Sequence, residues 1–111
     1  MAVSEILEKY VAGLNSGDAN QVAELFAEEC DFVDGGARPW KFPDVVASGK
    51  EGVRQAFTGV FETYQVKANI VKLNPNSMEY DVFLAGLEIP CIGAATVNDE
   101  GKITEYIVRP R

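Results

Sequence analysis

Residues 10–34, YVAGLNSGDANQVAELFAEECDFVD, carry the chain from a helical spacing of apolar residues to a strand spacing. On the upstream side Val3, Ile6, Leu7, Tyr10, Val11 and Leu14 fall at i, i+3, i+4, i+7, i+8 and i+11. That is one stripe of an amphipathic helix over residues 3–15, with Ser4 placed to cap its start. Asn15-Ser16-Gly17 ends it, Gly17 suiting the left-handed position after a helix. Asp18 with Gln21 reads as the cap of a second helix whose buried stripe is Val22, Leu25 and Phe26, with Glu24, Glu28 and Glu29 on a solvated face. At residues 30–34 the period becomes two, so Cys30, Phe32 and Asp34 share one face of a short strand and Asp31 and Val33 the other.

Residues 35–48, GGARPWKFPDVVAS, form a linker too irregular for a long element, with a single helical turn expected at 43–47. Ser48 and Glu51 have capping-box spacing. They open a third helix over 49–62 whose stripe is Val53, Ala56, Phe57, Val60, Phe61 and Tyr64. After it come period-two runs at 64–73, 78–85, 88–97 and 102–109, separated by turn clusters such as Asn74-Pro75-Asn76-Ser77 and Asn98-Asp99-Glu100-Gly101. Helices first and antiparallel strands after define an α+β class. At 111 residues the chain holds one domain.

Two side chains in the first stretch have chemistry to offer. Tyr10 lies on a buried stripe, so its hydroxyl needs a partner. It is either a core tyrosine bonded to a backbone carbonyl or a donor into a cavity. Asp34 shares its face with Phe32. It either caps the Gly35-Gly36 turn through its side chain or stands desolvated in a cavity, its pKa raised towards that of a useful base. Trp40 and Phe42 cover a pocket mouth or pack on the core or a dimer contact. Arg38 and Lys41 read as solvated.

Composition removes several classes. With 17 acids against 10 bases the net charge is −7, which argues against nucleic acid and anionic membranes as partners. No apolar run approaches the ~20 residues that span a bilayer, and without a basic n-region or an apolar h-region the first residues are not expected to act as a secretion signal. There is no histidine, and Cys30 and Cys91 form no CxxC pair. A zinc site is therefore not expected, nor is any cofactor, and the cysteines read as reduced thiols of a cytoplasmic protein.

Tyr-Val-Ala-x-Leu-Asn-x-Gly-Asp, then Leu-Phe-Ala, then an acid ending a short strand, resembles the steroid Δ5-3-ketone isomerase branch of the NTF2-like (SnoaL-like) superfamily. The opening of the third helix at Ser48-Gly49, with Val53, Arg54 and Phe57, is similar to the same superfamily. The resemblance implies a cone in which a strongly curved antiparallel sheet wraps three helices around a pocket, commonly as a homodimer. It implies Asp34 as general base and Tyr10 as donor to a dienolate oxygen. It places Phe57, Tyr80, Val82, Trp40 and Tyr106 around a small apolar carbonyl compound. The chain departs from the family at three places. Gly93 stands where a protonated Asp is the second donor, Phe57 where a tyrosine supports the first, and Gly35 where proline follows the base. Tyr106 is then either a replacement hydroxyl or an ordinary strand tyrosine. Competing functions are a non-catalytic binding module of the same fold, a cyclase, lyase or epoxide hydrolase of the superfamily, and a dimeric scaffold.

Overall fold

A computed structural model describes residues 2–111. The elements are α1 (Val3–Ser16), α2 (Ala19–Ala23), β1 (Phe26–Asp34), β2 (Val45–Ser48), α3 (Gly49–Thr63), β3 (Lys67–Leu73), β4 (Ser77–Leu84), β5 (Leu87–Val97) and β6 (Ile103–Pro110), with a 3₁₀ turn at Arg38–Trp40. The strands form one curved, unclosed sheet of order β2-β1-β6-β5-β4-β3. β1 and β6 are parallel and the other neighbours antiparallel. This is the expected α+β architecture, with three helices on the concave face.

The first helix follows its stripe: Ile6, Leu7, Tyr10, Val11 and Leu14 are buried, and Gly17 takes φ 68° after it. Its start differs from expectation. Ala2 occupies the cap position without a side-chain bond, and Ser4 lies inside the first turn. Asn15 anchors the other end. Its amide donates to Ala68 O at 2.9 Å and accepts from Ala68 N at 2.8 Å, holding α1 against β3 as a strand neighbour would.

Asp18 caps α2 by accepting from Asn20 N and Gln21 N. That helix is shorter than its apolar spacing predicts. It stops at Ala23, and Phe26 belongs to a nine-residue strand. The reason is non-local: Phe26 pairs with Ile103 of β6, and Ile103 N donates to Leu25 O at 2.8 Å. A helix of five residues cannot hold its last turn against a sheet edge that offers backbone partners.

The linker also differs from expectation. Residues 45–48 form β2, a strand on β1, and not a helical turn. Arg38 is paired, its guanidinium making two bonds to Asp44 at 2.9 and 2.7 Å that fasten the loop ahead of β2. Ser48 occupies the cap position of α3, yet no capping box forms. Its hydroxyl donates to Asp31, and Glu51 pairs with Arg54. Only Val53 and Phe57 of the α3 stripe are fully buried. Ala56, Val60, Phe61 and Tyr64 are half-buried, because part of the space they face is a cavity and not packed core.

Candidate functional site

Asp34 is the last residue of β1, held between Val45 of β2 and Val108 of β6. The chain turns at once: Gly35 N donates to Val108 O at 2.9 Å, and Gly36 N donates to Asp34 Oδ1 at 2.9 Å. Gly36 is required here, since a Cβ would stand 2.6 Å from Cys91 Sγ and 3.2 Å from Asp34 Oδ1. The two roles open to Asp34 in the sequence are therefore compatible, one per oxygen. Oδ1 closes the turn, and the half-buried Asp34 side chain makes no other hydrogen bond among the described residues. Burial raises the Asp34 pKa; the Gly36 amide opposes the rise and the charge of Asp44 adds to it.

Asp34 opens into a cavity of about 260 Å³ between the concave face of the sheet, α1, α3 and the 36–43 loop. Tyr10 of α1 stands on the same wall, 1% exposed. Its hydroxyl is pushed well above the usual tyrosine range, first by burial and then by Tyr106, Asp34 and Cys91, while the nearby Tyr80 hydroxyl works the other way. Tyr10 is thus a neutral phenol at neutral pH. The remaining wall is almost wholly apolar: Phe32, Phe57, Val60, Val82 and Ile89 supply most of it, with Phe42 and Tyr64 further out.

Of the side chains named from sequence, Tyr10, Asp34, Phe57 and Val82 line this one cavity. Tyr80 and Tyr106 do not reach it. They lie fully buried behind Tyr10, with Tyr106 Oη donating to Tyr80 Oη at 3.1 Å. Trp40 is 38% exposed and outside the wall, because the 3₁₀ turn sets it on the surface; its neighbour Phe42 takes the place at the cavity. Cys91 also lines the cavity, its thiol pushed up to about 12 by burial and by the charge of Asp34. It shares the inward face of β5 with Ile89, Gly93 and Ala95, so period-two reading of that strand includes it.

Among the described residues no three His, Cys, Asp or Glu side chains gather as a metal site, and no helix is long and apolar enough to cross a membrane. No protein of curated function matches the chain. Solved structures share the fold. One is a protein from Catenulispora acidiphila DSM 44928 with a ketosteroid isomerase-like fold, in complex with trimethylamine. It superposes with TM-score 0.77 at 18% identity, over 94% of this chain and 83% of its own. Another, from Kribbella flavida DSM 17836 and named for ketosteroid isomerase, gives TM-score 0.70 at 14% identity, over 98% of this chain and 77% of its own. At such identities the likeness is one of fold. The sequence model of the SnoaL-like domain matches residues 7–106, nearly the whole chain, and the protein belongs to that family.

Proposed function

We propose that this protein binds a small apolar carbonyl compound and moves a proton between carbons beside the carbonyl. Asp34 is the base and Tyr10 the donor to the oxygen. One observation carries the reading: an unpaired carboxylate oxygen with a raised pKa and a neutral phenol share an otherwise apolar cavity. Asp34 Oδ2 removes the proton between the carbonyl and a β,γ double bond. The electron pair moves onto the carbonyl oxygen, where Tyr10 stabilises the dienolate by hydrogen bonding. The carboxylic acid then returns the proton to the γ carbon, giving the conjugated enone and restoring Asp34. No cofactor enters this cycle.

At about 260 Å³ the cavity falls just below the roughly 300–1,000 Å³ typical of ligand pockets, so a compact substrate is favoured. The test is the rise in ultraviolet absorbance when a β,γ-unsaturated cyclic ketone becomes conjugated. Saturable turnover is the expected result. Saturable binding without turnover replaces this reading with the second one, a non-catalytic binding module. That alternative draws on Tyr10 being the one hydroxyl of the three central tyrosines at the wall, with Gly93 offering no side chain. The neighbour in complex with trimethylamine supports small-molecule occupancy of the fold under either reading.

The same reading makes the protein a homodimer in the cytoplasm, its two thiols buried and unpaired. Val46, Val33, Ile107 and Ala94 lie side by side across β2, β1, β6 and β5 on the convex face, with Val46 67% exposed. Along β6, Glu105 and Arg109 flank Ile107 at two residues on either side, all three exposed. A two-fold axis through Ile107 sets Glu105 of one copy opposite Arg109 of the other. Sedimentation at micromolar concentration is expected to give twice the chain mass for the wild type and the chain mass for Ile107→Glu. A wild type that sediments as a single chain rejects the dimer.

A further inference from the structure

Three oxygen-bearing side chains line the cavity: Asp34, Tyr10 and Tyr64. The reaction above uses the first two, and Tyr64 lies at the other end. Phe57 of α3 marks the near end, its ring edge-on to Tyr10 at 6.1 Å and tilted against Phe32 at 5.4 Å. From Phe57 the cavity follows α3 past Val60 to Tyr64, the residue that closes the helix. Seven residues of α-helix span about 10 Å. The sheet gives the same direction. Cys91 of β5 lies against Gly36 in the turn that Asp34 closes, and it pairs with Tyr80 of β4. The cavity runs from Cys91 over Ile89 and Val82 to Leu84, four residues beyond Tyr80 and about 13 Å away at strand spacing. Leu84 follows Phe83, the partner of Lys67, so this end of the sheet lies beside residues 64–67.

At that end the wall is otherwise hydrocarbon, supplied by Leu14, Val60, Val66 and Leu84. Tyr64 is half-buried there. Its backbone N–H donates to Val60 O at 2.8 Å, and its hydroxyl makes no hydrogen bond among the described residues. Tyr64 also borders a neighbouring groove with Asn15, Thr63, Gln65 and Lys67. It thus stands where the apolar wall gives way to polar surface, the boundary that suits a ring with a polar tip.

We propose that Tyr64 determines specificity: the compound whose carbonyl meets Asp34 and Tyr10 carries a hydroxyl at the far end of a two-ring apolar body, and the Tyr64 hydroxyl hydrogen-bonds it. The inference rests on the carbonyl-binding reading of the same cavity and narrows its substrate class. A slot of about 260 Å³ drawn out over about 10 Å takes two six-membered rings in line, one against Asp34 and the other against Tyr64. A ligand hydroxyl can donate to Tyr64 or accept from it. An ordinary boundary tyrosine would give its hydroxyl to water and leave the choice of ligand unaffected.

4-Cyclohexylcyclohexanone and 4-(4-hydroxycyclohexyl)cyclohexanone separate these roles, sharing one two-ring body without and with the distal hydroxyl. Their dissociation constants are measured by calorimetry for the wild type, Tyr64→Phe, Tyr64→Leu and Tyr10→Phe. The wild type is expected to bind the hydroxyketone more tightly by roughly 3- to 10-fold, the gain of one net hydrogen bond. Tyr64→Phe should bind the two compounds equally and hold the plain ketone as the wild type does. Tyr64→Leu alters the wall for both compounds and should lose the same preference, which provides the check should Tyr64→Phe fail to fold. Tyr10→Phe should weaken both compounds by a similar factor and keep the preference. A wild type without the preference, or a preference that survives in the Tyr64 variants, overturns the distal contact, and the carbonyl reading then stands if Tyr10→Phe weakens both compounds. Binding of both compounds unchanged in Tyr10→Phe overturns the carbonyl reading and the distal contact with it.

Discussion

Asp34→Asn is expected to reduce isomerisation of a β,γ-unsaturated ketone by about 10²–10⁴-fold and to raise the melting temperature at neutral pH. The rate loss follows because a carboxamide is nearly isosteric with the carboxylate but takes no proton at neutral pH. The gain in stability follows from the surroundings. Burial is the largest influence on Asp34 and raises its pKa, and Oδ2 has no protein donor to offset that burial. The amide oxygen of Asn can still accept from Gly36 N, so the turn survives the change while the buried charge is removed. The pH dependence has a definite sign. A carboxyl whose folded-state pKa is raised contributes stability below its ordinary value and loses it as pH rises through the folded value. The wild-type melting temperature should therefore fall with rising pH across that window, and the Asn variant should lack this component. Glu24 and Asp44 shift the other way, each lowered first by a hydrogen bond from a basic partner, so their contribution disappears only in stronger acid. Activity should rise through the same window in which wild-type stability falls, because the ionised carboxylate is both the base and the destabilising form. A melting temperature lowered by Asn, with no wild-type turnover, rejects the catalytic role for Asp34.

How legible these features were depended on how local their causes are. The α1 stripe and Gly17 were readable because helix phase and a left-handed turn are set by neighbours in sequence. Phe26 was misassigned to a helix because its spacing from Val22 suits one, while the partner that makes it a strand residue, Ile103, lies far along the chain. The β2 strand was invisible for a related reason. Four residues with Val46 facing solvent have no alternation to detect, and only pairing with β1 defines them. The motif singles out Tyr10 and Asp34, and the helix and strand faces on which they lie turn both towards one cavity. The depth of Tyr80 and Tyr106 was not readable. Period two puts both on the inward face, but whether a ring ends at the cavity or behind another ring depends on the register of β4 and β6 across β5. Gly93 illustrates the limit most clearly. From the sequence it is a missing side chain, and in the fold it is the space that the Tyr106 phenol occupies.

Phe32→Ala should lower stability by about 3–5 kcal/mol, the usual cost of deleting a fully buried aromatic ring. Phe32 is where core and cavity share a wall. Its ring packs on Phe26 at 5.9 Å, Phe57 at 5.4 Å and Tyr106 at 6.0 Å, and its outer edge lines the pocket beside Asp34. A domain of this kind has only about 5–15 kcal/mol in total, so the variant should remain folded at 25 °C with a much lower melting temperature. Val33→Ala is the control, one residue away on the opposite face and half-exposed; its cost should stay near 1 kcal/mol or below. The void left by Phe32 joins the existing cavity, and this has two consequences. A compact apolar ligand such as benzene should recover part of the loss, by about 2.7 kcal/mol at a hundred times its dissociation constant, and should stabilise the wild type less. Water admitted beside Asp34 should also bring the carboxyl back towards its ordinary pKa and weaken it as a base. The pH at which activity rises should then move down in Phe32→Ala and stay in place in Val33→Ala. Denaturant unfolding and a pH–rate profile of the two variants decide the matter. Equal stability losses, or an unmoved profile in Phe32→Ala, would show that the Phe32 ring does not set the environment of the base.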